Sequence, residues 1–244
     1  MVQRRSRGVT VSLQPADRRL IGELWLGSGL YEHASIASFS TFLLQAMQLG
    51  APPSILRRTI RAMDDEVRHS ILCFRLAARF LGVEQGPGPF VQPISPRGTP
   101  DEAAILAAVI EEGCVSETIA VAFAADALER TSDPDVRAAL EAIVADEREH
   151  SQLAWDFVGW MIETRPHLAG LADATFARCL KAGDEEPDVP GWNPIAESFG
   201  HLSAASKAEV RRRMIERELR PRAAALAGGG AAAAGFGDAV AAAG

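Results

Sequence analysis

The sequence has few cysteines and no long uncharged apolar run. Its three cysteines, Cys73, Cys114 and Cys179, are scattered and form no C-x-x-C pair, which argues against a disulfide framework and against a thiolate metal site. No stretch of about 18 residues combines the absence of charge with the Leu, Ile and Val content of a membrane span. The basic start is not followed by the apolar segment of a signal peptide. These absences predict a cytoplasmic protein with no membrane partner.

Positive charge is also in short supply. The chain has 25 Lys and Arg residues against 32 Asp and Glu residues, a net charge of -7, without long blocks of either sign. A protein that binds a phosphate backbone needs a basic surface, so we predict no nucleic-acid partner. The 244 residues are 48% hydrophobic, which is enough for one large core.

Strand patterns are almost absent, whereas apolar residues recur three and four positions apart over long segments. This spacing is typical of amphipathic helices. Residues 82–99 are too rich in Gly and Pro for a helix and indicate a long connection. Thr99, Pro100 and Glu102 are expected to open the next helix as a capping box. Helices are predicted over about 17–49 with a break at 27–29, and over 54–81, 99–130, 134–164 and 203–220.

Two short hairpin connections on either side of one long connection are the pattern of a ferritin-like four-helix bundle. The predicted fold class is therefore all-α. The bundle would occupy residues 17–165, with a long crossover between its second and third helices, after an N-terminal segment at 1–16. Residues 166–222 would form a C-terminal helical extension, and the Ala/Gly-rich tail at 223–244 would be mobile.

Two Glu-x-x-His pairs lie on the predicted second and fourth helices. Residues three apart share a helix face, so Glu66 and His69 can point inward together, as can Glu147 and His150. One such pair alone is more often a surface ion pair than a metal site. The repetition of the pair, each time with Asp before it and Ser after it, favours a metal site.

A further glutamate precedes each pair by about one helical hairpin. Glu32 lies 34 residues before Glu66 and Glu112 lies 35 before Glu147, and the two halves are offset by 80 or 81 residues throughout. One Glu from each of two helices plus Glu-x-x-His from each of the others is the known ligand pattern of di-iron and di-manganese bundles. The predicted metal ligands are Glu32, Glu66, His69, Glu112, Glu147 and His150.

The chemistry of this set indicates two divalent ions. Four carboxylates and two imidazoles can be buried together only around a strong positive charge. Oxygen-rich and sulfur-free ligation suits iron or manganese better than tetrahedral zinc. We predict two iron ions, with two manganese ions or a mixed iron–manganese pair as alternatives, and no organic cofactor.

The motifs carry a family resemblance. "DEVRH" at 65–69 resembles the D-E-x-R-H motif of bacterial multicomponent di-iron monooxygenases, "DEREH" at 146–150 resembles its second copy, and "EGCVSE" at 112–117 is similar to their third-helix motif. The resemblance covers about residues 20–164 of what looks like a ferritin-like domain protein. It implies that Asp65 and Asp146 fix the ligand histidines and that Arg68 pairs with such an aspartate. Glu149 replaces the second arginine of the motif.

The predicted third helix offers further polar groups. Glu117 is five residues past Glu112, about 140° around an α-helix, so we expect it behind the ligands rather than among them. Ser116, one turn after Glu112, is the candidate catalytic hydroxyl that would steer a proton. The other residues one turn away predict a dry, apolar substrate pocket: Ile36, Phe39, Ile105, Ala108, Val115, Ile119, Ile143 and Phe157.

These features predict an enzyme, a monooxygenase-like di-iron oxidoreductase. It would use O2 to hydroxylate or N-oxygenate a small organic metabolite, with electrons from an external donor such as a ferredoxin or a reductase. A homodimer is left open. The alternatives are a rubrerythrin- or ferritin-type peroxidase or ferroxidase, weakened by the lack of a rubredoxin-like C-x-x-C, and a non-enzymatic iron-binding helical bundle.

Overall fold

A computed structural model describes residues 13–90, 101–181 and 187–227. Within these ranges the chain is helical and has no strand, which confirms the all-α prediction. Two π-helical turns, Val109–Ser116 and Ile215–Leu219, and two 3-10 segments, Pro166–Leu168 and Pro194–Phe199, interrupt or link the α-helices. The α-helices are α1 (Pro15–Gln48), α2 (Pro53–Leu81), α3 (Glu102–Ala108), α4 (Glu117–Arg130), α5 (Pro134–Thr164), α6 (Ala169–Cys179), α7 (Ala204–Met214) and α8 (Arg220–Ala227).

Helix α3, the π turn Val109–Ser116 and α4 follow one another without a break, and we call them together the third rod. The long helices pack side by side in a bundle: α1 lies on α2, α2 on α5, and the third rod on α5. Helix α6 packs on α3 and the π turn, and α7 packs on α4. The residues predicted as ligands therefore lie on rods that enclose one space.

The directions of the rods follow from their contacts with α5. Arg58 near the start of α2 pairs with Asp156 near the end of α5, and Arg79 near the end of α2 pairs with Asp133 at the start of α5. Helix α2 and α5 are thus antiparallel. In the third rod, Gly113 lies against Ala154 and Arg137 of α5 donates to the carbonyl of Thr131, so this rod is also antiparallel to α5. Helix α2 and the third rod consequently run in the same direction.

Proline, glycine and aspartate set the helix ends. Pro53 and Pro134 occupy first-turn positions, where a missing amide hydrogen costs nothing. Gly82 ends α2 with φ 74° and donates its amide to the carbonyl of Ala78 at 2.8 Å, a left-handed end that favours glycine. The predicted ends at 54–81 and 134–164 agree with these bounds.

Three local predictions are wrong. The expected break at 27–29 is absent because α1 is continuous, and Gly29 instead lets α1 approach the ring of Phe74, which a Cβ at Gly29 would meet at 2.9 Å. The expected capping box is replaced by Asp101, whose side chain accepts from the amide of Ala104; Thr99 and Pro100 lie outside the described residues. Helix α6 was not expected.

The predicted outer segments are described only in part. Residues 1–12 of the N-terminal segment and residues 228–244 of the tail lie outside the described residues, as does the second half of the expected long connection, 91–99. The first residues assigned to the tail belong to α8, which continues to Ala227. The proposed mobility of the tail therefore stays a prediction.

The core lies where α2, α5 and the third rod meet. Trp155, Phe157 and Met161 of α5 and Leu106 and Ile110 of the third rod are fully buried there. The three cysteines are unpaired. Across the described ranges, the helices lack the combination of length and apolarity that crossing a bilayer requires.

Candidate metal centre

Four side chains from three helices converge inside the bundle. Glu32 of α1, Glu66 and His69 of α2 and Glu147 of α5 each offer a ligand atom, and these atoms lie within 4.8 Å of one another. Glu32 is half-buried and the other three are buried. This group could hold a metal ion, as the sequence predicts for these four residues.

The two histidines share the same two carboxylates. His69 Nδ1 lies 3.1 Å from Glu147 Oε1 and 3.9 Å from Glu66 Oε2. His150 Nδ1 lies 3.1 Å from Glu147 Oε2 and 3.3 Å from Glu66 Oε1. Each carboxylate therefore turns one oxygen toward each imidazole, which is the arrangement expected of two carboxylates that bridge two ions.

The outer nitrogens of the histidines bond to aspartates on the opposite helix. His69 Nε2 lies 3.0 Å from Asp146 and His150 Nε2 lies 3.3 Å from Asp65. Arg68 joins the two aspartates, with 2.8 Å to Asp65 and a second bond to Asp146. A histidine that donates from Nε2 presents the lone pair of Nδ1 to the space between the carboxylates.

Two orphaned atoms test whether an ion fits this space. Glu66 Oε2 and His69 Nδ1 are buried, and neither has a hydrogen-bond partner among the described residues. Ligand atoms bound at about 2.1 Å to one ion are separated by about 3 Å when they are adjacent and about 4 Å when they are opposite. The 3.9 Å between these two atoms, and the 3.7 Å from His69 Nδ1 to Glu32, match that range. The donor set therefore fits a divalent ion.

The pKa values show that this cluster needs positive charge. Burial opposes the charged form of His69 and His150, but the close contacts with neighbouring carboxylates outweigh burial and raise the pKa of His69 to about 10 and that of His150 to about 11. Burial raises the pKa of Glu66 to about 8. Burial also opposes ionisation of Glu147, yet the close contacts with His150 and His69 lower its pKa to about 2. Without metal, protons supply the charge that cations would otherwise bring.

The sixth predicted ligand does not join the others. Glu112 is exposed and lines a cavity beside the centre. Glu117 is half-buried, and burial and the charges of Glu147 and Glu66 raise its pKa well above the usual value, which indicates that its carboxyl group lies close to the cluster. Neither Glu112 nor Glu117 belongs to the group of four converging ligand atoms, so the expected ligand role of Glu112, with Glu117 behind the ligands, stays a prediction.

The register of the first hairpin shows where its upstream glutamate lies. Gly29 lies against Phe74 across the α1–α2 contact. Gly22 lies against Leu81, so α1 and α2 are antiparallel, and Glu32 stands opposite position 71, two residues beyond His69. A glutamate side chain at this position along α1 can reach the space beside His69.

The register of the second hairpin shows that Glu117 lies opposite the turn that follows His150. Thr118 and Ser151 hydrogen-bond at 2.7 Å across the contact between the third rod and α5. The residue opposite position 152, two beyond His150, is therefore Glu117. The π turn just before it has i to i+5 hydrogen bonding, so it takes up an extra residue that α-helical counting ignores. Equal sequence offsets between the two halves do not reveal this extra residue. Identifying the residue that lies opposite each histidine across its hairpin would reveal it.

Ser116 lies on the wall of the same cavity and its hydroxyl is already engaged. Its Oγ donates to the carbonyl of Glu111 at 2.9 Å. A bond five residues back fits the π turn, whereas an α-helix would direct it four residues back. Its expected role in steering a proton stays a prediction.

The cavity lies between α1 and the third rod and has a volume of about 580 Å³. Its inner end reaches His150 and Glu117, and Phe39 packs edge-on against the His150 ring at 5.2 Å between centroids. Of the predicted pocket residues, Phe39 and Ala108 line it. The prediction was wrong for the residues that are buried in the helical core, which are Ile105, Val115, Ile119, Ile143 and Phe157.

Sequence reasoning missed Gly113, which lines the cavity and allows the third rod to approach Ala154. From the sequence, Tyr31, the only tyrosine, could be a packed ring or a redox relay. It lines the cavity beside the candidate ligand Glu32. No family model, no curated protein and no solved structure matches this chain, so the metal centre is argued from its own geometry.

Proposed function

We propose that the centre would hold two metal ions, with Glu66 and Glu147 among their ligands. The observation that carries this proposal is the pair of Nδ1 atoms, each facing one oxygen of both carboxylates. Glu32 and His69 would complete one site, and Glu117 and His150 the other. This proposal replaces Glu112 by Glu117 in the predicted ligand set.

The direction of the rods supports a ferritin-like topology for the bundle. Helix α2 ends at Leu81, the third rod begins at Glu102, and the two run in the same direction. A long connection between two antiparallel hairpins is the arrangement of ferritin-like bundles. We therefore infer a ferritin-like four-helix bundle with a crossover, to which α6, α7 and α8 are added.

Iron is the metal that the centre suits best. Four carboxylates and two imidazoles without sulfur favour iron or manganese, and the four negative charges balance two divalent ions. A reduced iron pair supplies two electrons for reaction with O2. We propose that the protein is a di-iron oxygenase that hydroxylates or N-oxygenates a small organic molecule, with electrons from an external donor.

The chain's own residues would bind the substrate and limit access of water. Phe39 covers the face of the centre next to His150, and Phe42 packs edge-on against Phe157 further along the cavity. These rings exclude water from the inner end, while the aspartate partners keep the two imidazoles in one orientation. A volume of about 580 Å³ is in the range of small-molecule sites, which favours an organic substrate over iron storage.

Metal content of matched variants tests the centre. Anaerobic loading with iron(II) should give about two ions per chain in a bridged site. Glu117→Ala is expected to lose about one ion per chain and Glu112→Ala to keep both, because only Glu117 faces the cluster. Elemental analysis near zero in the wild type, or loss of metal from Glu112→Ala with full content in Glu117→Ala, would contradict the assignment.

Reaction with O2 tests the activity. The reduced, iron-loaded protein should consume O2 in proportion to product formed from a panel of small amines, alcohols and acids. Rapid reduction of hydrogen peroxide without organic product would instead select the peroxidase. Oxidation of added iron(II) into a large iron-filled particle would select the ferroxidase. If the fully metal-loaded protein reacts with neither O2 nor peroxide, the non-enzymatic alternative, an iron-binding helical bundle, would be supported.

A further inference from the structure

The cavity beside the metal centre has carboxyl groups but no Lys or Arg in its lining. The carboxyl groups belong to Glu112 and Glu117, and the lining residue His150 would be neutral as a metal ligand. Within the described residues, Glu112 has no hydrogen-bond or ion-pair partner for its side chain, whereas its neighbour Glu111 pairs with Arg178 at 3.2 Å. Glu112 is therefore an unpaired anion on the wall of a largely apolar space.

The metal centre would not attract an anion to this cavity. Two divalent ions would be balanced by the carboxylates of Glu32, Glu66, Glu117 and Glu147, which leaves the bridged centre close to neutral. Beyond it, Arg68 is shared by two aspartates, Asp65 and Asp146. The net charge that a molecule in the cavity would meet is thus the negative charge of Glu112.

Three of the five hydroxyl groups on the wall are already used, whereas within the described residues the hydroxyls of Tyr31 and Ser38 and the side-chain amide of Gln45 have no hydrogen-bond partner. Ser35 donates to the carbonyl of Tyr31, Thr41 to that of Ala37, and Ser116 to that of Glu111. These donors are therefore already used within their own helices. An acid bound here would face a carboxylate in a partly desolvated space, which is unfavourable, whereas an ammonium group would form a charge-assisted hydrogen bond.

We propose that the substrate is a small amine, bound as its ammonium ion to Glu112, with an apolar body between Phe39, Phe42 and the third rod. This inference rests on the proposed oxygenase function and specifies its substrate class. An arylalkylamine suits this cavity, because the rings of Phe39 and Phe42 both line it and would contact an apolar body.

Binding of three probes of similar shape tests the substrate class before any turnover is measured. The probes are 2-phenylethylamine, 2-phenylethanol and 3-phenylpropanoate, added at millimolar concentration to the iron(II)-loaded protein under anaerobic conditions. Calorimetry should give the tightest binding for the amine and the weakest for the acid. Binding of the acid as tight as that of the amine, or no binding of the amine, would overturn the proposal.

Two exposed neighbouring glutamates provide a matched pair of variants. Glu112→Gln should weaken amine binding about tenfold, as expected for the loss of one charge-assisted contact, and leave alcohol binding unchanged. Glu111→Gln should change neither, because Glu111 does not line the cavity. Equal effects of the two variants on the amine would show a non-specific surface effect and would overturn the assignment to Glu112.

Metal content and O2 consumption separate this inference from the oxygenase proposal. If Glu112→Gln loses iron, Glu112 is a ligand and the amine site is wrong. If the amine binds through Glu112 but no O2 is consumed, the amine site stands and the oxygenase function fails. If O2 is consumed with neutral or acidic substrates and the amine does not compete, the oxygenase stands and the amine site fails.

Discussion

Asp133 joins two stabilising contacts at the start of α5. Its Oδ1 accepts from the amides of Asp135 and Val136 at 3.0 and 3.1 Å, and its carboxylate receives Arg79 of α2 at 2.7 and 2.6 Å. It therefore caps one helix and fixes it to another. The hydrogen bond from Arg79 is the largest influence on this carboxyl and lowers its pKa below the usual value.

We predict that Asp133→Ala lowers the free energy of unfolding by about 2 kcal/mol at pH 7, since it removes a helix cap and a charged hydrogen bond. The control Asp101→Ala removes an exposed cap that has only the amide of Ala104 as partner and should cost about 1 kcal/mol or less. Urea unfolding of both variants measures the difference. Equal losses would show that the Arg79 pair adds no stability.

The same aspartate gives a pH dependence. Because its folded pKa is depressed, its contribution is fully present above the unfolded pKa of about 3.9 and is lost as the pH falls through the folded value. The difference in stability between wild type and Asp133→Ala should therefore be constant from pH 7 to about pH 5 and shrink below about pH 4. A difference that grows on acidification would contradict this sign.

The aspartates behind the histidines give a second prediction at the residue scale. Asp146→Asn should reduce iron(II) affinity about 10- to 100-fold, because the acceptor that orients the His69 imidazole would lose its negative charge. The control Asp64→Asn changes an exposed carboxylate one residue before Asp65 and should leave affinity unchanged. Competition with a coloured chelator measures both. Unchanged affinity in Asp146→Asn would remove this residue from the site.

At the scale of elements, the third rod depends on a close helix contact. A Cβ added at Gly113 would lie 2.6 Å from the Cβ of Ala154, which cannot move without moving α5. We predict that Gly113→Ala destabilises the protein by about 1 to 3 kcal/mol, although alanine favours helix formation. Thermal unfolding at matched pH measures this cost.

Gly27 is the matched control for that substitution. It lies inside α1, and a Cβ there would meet no atom within 4 Å. Gly27→Ala should therefore raise the free energy of unfolding by up to about 1 kcal/mol through helix propensity alone. A stabilisation by Gly113→Ala as large as that by Gly27→Ala would show that the third rod can shift away from α5 freely.

The sequence predicts the helices well where local signals define their ends. Pro53 and Gly82 mark α2, and Pro134 marks the start of α5, because these residues act through their own backbone geometry. The π turn has no such signal. Its register depends on the contact between Gly113 and α5, which is a long-range packing effect that periodicity does not contain.

The same distinction separates the predicted and missed parts of the candidate site. Glu66 and His69 are three residues apart on one helix, so their shared face follows from α-helical geometry alone. The choice between Glu112 and Glu117 depends on how two helices are aligned. The equal offsets of the two halves favour Glu112, because they assume the same helical register in both hairpins. The contact between Thr118 and Ser151 instead places Glu117 opposite α5 beside His150.

At the scale of the whole molecule, the C-terminal helices are part of the same packed unit as the bundle. The ring of Phe176 stacks on Trp155 at 5.2 Å, and Trp25 Nε1 donates to the carbonyl of Phe199 at 3.0 Å. Arg222 lies over the Trp155 ring and donates to Gln152. The contacts of Phe176 and Arg222 with Trp155 therefore hold the residues after Thr164 against α5, the helix that carries Glu147 and His150.

Helix α1 is the least enclosed of the long helices at the level of the metal centre. Between residues 30 and 45 it has no buried residue, because the cavity separates it from the third rod. Glu32 is its contribution to the ligand cluster. A bound ion would therefore attach this stretch of α1 to α2 and α5 through ligand bonds rather than through packing.

We predict that removal of metal loosens the molecule unevenly. Iron(II) at about 100 times its dissociation constant should stabilise the protein by about 2.7 kcal/mol, so chelation should lower the thermal midpoint. Amide hydrogen exchange should increase most in residues 30–42 and 109–120 and little in α7, which contacts the far side of α4. The metal-loaded Glu112→Ala variant is the control, since it should keep the wild-type exchange pattern. A uniform increase along the chain would show that the ions stabilise the fold as a whole, and no increase in residues 30–42 would contradict the ligand role of Glu32.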